Sequence, residues 1–180
     1  MDYDLFASAG RKLGASGLVL GTSGNISMRE GDSLFITRHG ALIDRLASSD
    51  IIEVLVSKET TSDTAASWEL PVHRAVYRAT EAAAVVHAHP PYLRALSLDI
   101  ADGLIGVPVI GEKQQDIIAG VMSQEIASTL AQCPVIIVRG HGTFAIGQTL
   151  DEAVRLTLAL ESDGQEICRM RPHTGPESTL

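Results

Sequence analysis

Ala82-Ala83-Ala84-Val85-Val86-His87-Ala88-His89-Pro90-Pro91 is the stretch on which the reading of this chain turns. It is a short apolar run, closed by two prolines that cannot donate to a β-ladder, and it reads as a buried strand over Ala82–His89. Residues two apart on a strand project from one face, so His87 and His89 converge and can share a single ion. Neutral imidazole is a zinc ligand at about 2.0–2.1 Å, whereas two unpaired imidazoles in an apolar core would each need a hydrogen-bond partner. A ligand pair is the preferred reading, and a hydrogen-bonded structural pair is the other.

Upstream of this strand, Ser67 is placed to cap a helix over Trp68–Thr80, with Pro71 in its first turn and Leu70, Val72, Val76 and Tyr77 as its apolar contacts. Glu69 opens that helix and is the carboxylate best placed for acid/base work, although the helix dipole alone would also favour an acid there. His73 lies one turn on and shares a face with Glu69; it reads as a core histidine or a support for the ligands. Further upstream are a helix from Asp2 to about Gly17, the Gly-rich loop Gly21-Thr22-Ser23-Gly24-Asn25, strands Ile26–Arg29 and Leu34–Arg38 joined across Gly31-Asp32, and a strand over Ile51–Val56. The loop could cradle an anion with backbone N–H groups.

Downstream, a helix or turn near Leu93–Leu98 is followed by a weak strand near Leu104–Ile110 and a helix over Ile117–Leu130. The apolar strand Val135–Val138 runs into Arg139-Gly140-His141-Gly142, a second strand covers Thr143–Ile146, and Thr149 or Asp151 caps a last helix to about Met170, leaving a frayed tail from about 171. His141 sits between two glycines that let backbone approach a bound group, and it would complete the three-histidine set of an open catalytic zinc site.

Composition removes several function classes. The 180 residues suit one domain, and 14 Lys+Arg against 22 Asp+Glu leave a net charge of −8. With no basic stripe, the attraction that nucleic acid or an anionic membrane would need is missing. Cys133 and Cys168 fit no metal or disulfide spacing, so a reducing cytoplasm is expected. The acidic start lacks a signal-peptide pattern, and no apolar run approaches the roughly 20 residues of a membrane span.

The order and spacing of GTSGNIS (21–27), LFITRHG (34–40), SWELPVHRAVYRA (67–79), AVVHAHPPY (84–92) and VIIVRGHGTFAIGQTLDEA (135–153) resemble the class II aldolase/adducin-head family, most of all its short fuculose-1-phosphate aldolase-like members. The resemblance implies an α/β fold: one domain over 1–180, built as a three-layer α/β/α sandwich with a mainly antiparallel central sheet, in a homotetramer whose sites lie between subunits. It makes His87, His89 and His141 the metal ligands and Glu69 the catalytic residue. It assigns substrate or phosphate contacts to Gly24, Asn25, Thr37, His39, Gly40, Ser67 and Trp68.

This chain departs from the family pattern at three points. Where phosphate-binding members read ITPTG or ITPSG, it has Ile36-Thr37-Arg38-His39-Gly40, and where they have Ser-Ser before the Glu it has Ser67-Trp68. Arg38 or His39 could restore an anion contact. The family's tyrosine acid, drawn from between the two histidine motifs, has no counterpart, because the tyrosines are Tyr3, Tyr77 and Tyr92.

The expected activity is that of a divalent-metal-dependent carbon–carbon lyase, most naturally with zinc. It would cleave a hydroxy-ketone of sugar-phosphate type through an enediolate, with Glu69 moving the proton from a pocket dry enough to raise its pKa. A decarboxylase, or an aldolase for a non-phosphorylated hydroxy-carbonyl compound, is the alternative, and a non-catalytic adducin-head-like assembly module is the second.

Overall fold

The computed structural model describes residues 1–99, 103–111 and 122–170. In chain order the regular elements are α1 (Tyr3–Ala15), β1 (Asn25–Glu30), β2 (Ser33–Thr37), β3 (Ile51–Leu55), α2 (Leu70–Ala79), β4 (Ala84–Ala88), α3 (Pro91–Ser97), β5 (Gly103–Leu104), β6 (Val107–Ile110), α4 (Ser123–Leu130), β7 (Val135–Val138), β8 (Gly142–Gly147) and α5 (Leu150–Met170). The beginning of the helix expected from Ile117 and the tail from 171 lie outside the described residues. The weak strand expected near Leu104–Ile110 is two strands, because Ile105 and Gly106 turn the chain at φ 57° and 73°. Thr149 supplies the cap of α5, its hydroxyl accepting from the Glu152 N–H at 3.1 Å.

Eight strands form one sheet in the order β3-β2-β1-β4-β8-β7-β6-β5. The sheet is mixed. β1 is antiparallel to β2 and β4, and β8 to β4 and β7, but β6 runs parallel to β7. A parallel pair needs a crossover, and the segment carrying α4 provides it between these two strands. The expected mainly antiparallel sheet is corrected accordingly.

The strand at the centre explains where the site forms. Ala84, Val86 and Ala88 of β4 join an apolar cluster with Phe6 and Leu13 of α1, Leu93 of α3 and Val154 of α5. Val85 belongs to a second cluster with Val72, Val76 and Tyr77 of α2 and Ile126 of α4. His87 is in phase with Val85, so period-two alternation aims it at the α2 side. In β1, Ile26 belongs to the first cluster, which leaves Asn25 and Ser27 on the α2 side as well. Asn25 stands directly opposite His87 across the β1–β4 ladder. The carboxyl-end residues of β4, the start of β1 and the start of α2 therefore meet at one edge of the core.

Candidate active site

The three imidazoles that the sequence nominates come together. His87 Nε2 lies 2.9 Å from His89 Nε2 and 3.2 Å from His141 Nε2. Two bonds of about 2.0–2.1 Å at a tetrahedral angle would separate ligand nitrogens by about 3.3 Å, close to both spacings. The Nδ1–H of His87 donates to the Thr143 carbonyl at 2.9 Å, which fixes its tautomer and leaves Nε2 with a free lone pair facing the other two rings. Burial pushes His87 down and His89 down to about 3, so both rings are neutral, the form that binds a cation. The donor set and its spacing fit a divalent ion with an open coordination position.

Two glycines make this convergence possible. A Cβ on Gly142 would lie 2.2 Å from the Ala88 carbonyl oxygen and 3.3 Å from His87 Cε1, and one on Gly24, at φ +77°, would lie 2.7 Å from the His87 carbonyl oxygen. Both positions carry backbone against the ligand strand, and any side chain would push it away.

Glu69 precedes α2 by one residue, and its carboxylate makes no capping bond to that helix. Instead Oε2 accepts from Asn25 Nδ2 at 2.6 Å and lies 3.3 Å from His87 Nε2, while Oε1 lies 3.6 Å from His141 Nε2. The capping explanation of Glu69 thus fails, and the carboxylate sits beside the histidine cluster. Burial alone would raise its pKa. Positive charge held among the neighbouring imidazoles, together with the Asn25 N–H bond, opposes burial and holds the carboxyl below the usual carboxylate range, against the expected rise.

Behind Glu69 runs a buried chain of hydrogen bonds. Asn25 Oδ1 meets His73 Nε2 at 2.5 Å, His73 Nδ1 meets Ser27 Oγ at 2.6 Å, and Ser27 Oγ meets the Tyr77 hydroxyl at 2.8 Å. Burial pushes His73 down to about 3, so it is neutral, and pushes the Tyr77 hydroxyl up, so it stays protonated.

In front of Glu69 a cavity of about 450 Å³ opens. Of the substrate contacts expected from the sequence, Gly24, Asn25, His39, Gly40, Ser67 and Trp68 line it. Thr37 does not: it is fully buried, its hydroxyl accepts from the Ile26 N–H at 3.2 Å and its carbonyl from the Ser67 N–H at 3.1 Å. It fastens two segments of the site from behind the cavity wall. Thr22, Ser23 and Arg38 line the cavity in addition. Arg38 is the cation there, holding the Ser49 carbonyl at 3.0 Å with Asp50 at 3.9 Å. His39 and Trp68 stack at 3.9 Å between ring centroids and 12° between planes, although Trp68 is 72% exposed. None of the three tyrosines lines this cavity: Tyr3 donates to the Leu46 carbonyl, Tyr77 is buried behind Glu69, and Tyr92 accepts from Gln165.

The sequence did not assign Asn25 to Glu69, nor His73, Ser27 and Tyr77 to one network. The available signal was the i, i+4 series Glu69, His73, Tyr77 alongside the i, i+2 pair Asn25, Ser27.

The sequence model of the family described as Class II Aldolase and Adducin N-terminal domain matches residues 4–166. The L-fuculose-1-phosphate aldolase of Thermus thermophilus is similar in structure, with a TM-score of 0.84 and 33% identity over 97% of each chain. A methylthioribulose-1-phosphate dehydratase of a Bradyrhizobium species is 29% identical, covering 94% of this chain and 91% of its own. A Nocardia farcinica protein named "Probable bifunctional methylthioribose-1-phosphate isomerase/methylthioribulose-1-phosphate dehydratase" is 32% identical over 95% of this chain, which spans only 35% of that protein's length. The chain belongs to the class II aldolase and adducin N-terminal domain family.

Proposed function

We propose that this family member is a divalent-metal-dependent lyase acting on a sugar-phosphate-type hydroxy-ketone, with retro-aldol cleavage of the fuculose-1-phosphate kind as its reaction. The observation that carries the reading is the Glu69 carboxylate set beside three convergent imidazole nitrogens at the base of a cavity. A metal-free assembly module has no use for that arrangement.

His87, His89 and His141 would hold the cation, most naturally zinc, which supplies Lewis-acid polarisation of the substrate carbonyl when bound. Glu69, ionised and aimed by Asn25, accepts or returns the proton at the carbon next to that carbonyl. Gly24, His39, Gly40, Ser67 and Trp68 would face the rest of the substrate, and Arg38 offers the charge for an anionic end. The same reading carries one domain in three layers, supported by the apolar clusters built from opposite sheet faces. It also carries a cytoplasmic homotetramer whose neighbouring subunit covers the exposed Trp68. Among the described residues no helix is long and apolar enough to cross a membrane.

A second reading is favoured by one observation. With no tyrosine lining the cavity to take the proton from the hydroxyl that becomes the aldehyde oxygen, the proton moved by Glu69 could instead accompany loss of water or carbon dioxide from the same kind of substrate. Incubation with L-fuculose 1-phosphate distinguishes the readings. Dihydroxyacetone phosphate and lactaldehyde are expected, whereas an intact chain with water lost, or carbon dioxide released without aldehyde from a candidate acid, would overturn the aldolase reading.

A further inference from the structure

We propose that His73, Ser27 and Tyr77 are positioning residues that aim the Asn25 amide, and through it Glu69, by a one-way hydrogen-bond relay. The inference rests on the role of Glu69 given above. Its direction follows from atoms that have no choice. The Asn25 NH₂ faces the Glu69 carboxyl and donates to Oε2 at 2.6 Å, and the other end of that amide, Oδ1, can only accept. His73 must then donate from Nε2 across 2.5 Å, which leaves Nδ1 as an acceptor for the Ser27 O–H at 2.6 Å. Ser27, having donated its proton, accepts from the Tyr77 O–H at 2.8 Å. Every proton points towards Glu69.

The relay fits because two periodicities match. Glu69, His73 and Tyr77 are four residues apart on or beside a helix and rise about 6 Å per step. Asn25 and Ser27 are two apart on a strand and rise about 6.6 Å. The five polar groups therefore interleave in the order 69, 25, 73, 27, 77, and each bond polarises the next in a buried, water-poor layer. The relay conducts no proton, because the Asn25 amide interrupts it. Its work is orientation: a rotated amide would present its carbonyl oxygen to the carboxylate, and the His73 N–H on Oδ1 adds to the carboxylate's own demand for a donor in holding the amide against that rotation. Asn25 is thereby bound at both ends and serves the carboxylate.

The test uses full-length protein labelled with ¹⁵N-histidine, with His73→Leu, His73→Gln and Ser27→Ala as variants. In the wild type the resonance pair that disappears in His73→Gln should show a protonated Nε2 and a bare Nδ1. On L-fuculose 1-phosphate, His73→Leu and Ser27→Ala should lower kcat by about 10–100-fold with KM within about twofold, the signature of a misaimed group rather than lost binding. His73→Gln, whose amide can still donate towards Asn25, should recover most of that loss, and metal content should be unchanged throughout. An Nδ1–H tautomer at His73, or wild-type kcat in both His73→Leu and Ser27→Ala, would overturn the relay. The tautomer is read without substrate, so a wild type inactive on this compound counts against the proposed function, and the relay is then judged on the tautomer alone.

Discussion

The floor and the rim of the cavity are built on opposite principles. On the floor, His87, Asn25 and His73 are buried and each is held by a hydrogen bond to a fixed partner. At the rim, His39, Gly40 and Trp68 are exposed, and the largest contact is a π-stack that adds area but little directional preference. Buried polar groups tolerate no substitution that leaves a partner unsatisfied, whereas exposed ones can be exchanged at small cost. The floor is accordingly where chemistry is fixed, and the rim is where this chain can differ from its relatives in what it accepts.

The largest effect should come from the floor. His87→Ala removes the imidazole that touches both others, and elemental analysis should find stoichiometric metal lost from a protein whose circular dichroism is unchanged. Glu69→Gln should keep the metal and lower kcat by about 10²–10⁴-fold in steady-state assays, because a neutral amide cannot take a proton. Equal losses of metal in both variants would erase the division of labour within the floor.

An ion pair joins the two regions. Asp63, in the loop leading to Ser67 and Trp68, receives two bonds from the buried Arg74 guanidinium of α2, at 2.5 and 2.9 Å. The Arg74 bond holds the Asp63 carboxyl below its usual range, so its stabilisation is complete above the unfolded pKa of about 3.9 and fades as pH falls through the lower folded value. Asp63→Asn should cost about 2 kcal/mol in urea unfolding at pH 7, and the gap to wild type should narrow only below about pH 4. A gap independent of pH would mean that the ion pair does not tie the loop to the helix.

The smallest effect belongs to the rim. Trp68→Ala should change stability by about 0.5 kcal/mol or less, since most of the ring is in solvent, yet raise KM several-fold with kcat nearly intact. A stability loss of about 3 kcal/mol would place Trp68 with the floor instead.

Legibility in the sequence follows the same line. His87 and His89 could be nominated from period two on an apolar run, a local signal, whereas His141 between its glycines was nominated because the pair lacked a third imidazole and because of the family resemblance. The parallel β6–β7 pair was missed because pairing direction depends on where a crossover returns, which no short window records. Glu69 was nominated without its partner: burial was foreseeable, while Asn25, 44 positions away in sequence, and its 2.6 Å bond were not. Thr37 illustrates the converse. A motif position places a hydroxyl near the site, and only the folded structure shows that it is buried and accepts from the Ile26 amide rather than lining the cavity.

The central claim is that three convergent imidazoles beside the Glu69 carboxylate form a metal-dependent lyase site. Elemental analysis of protein purified without chelator tests it most directly. The account predicts about one divalent ion per chain, removed by chelation and restored by added zinc together with activity. Protein that carries no metal, and takes up none when zinc is supplied, would contradict it.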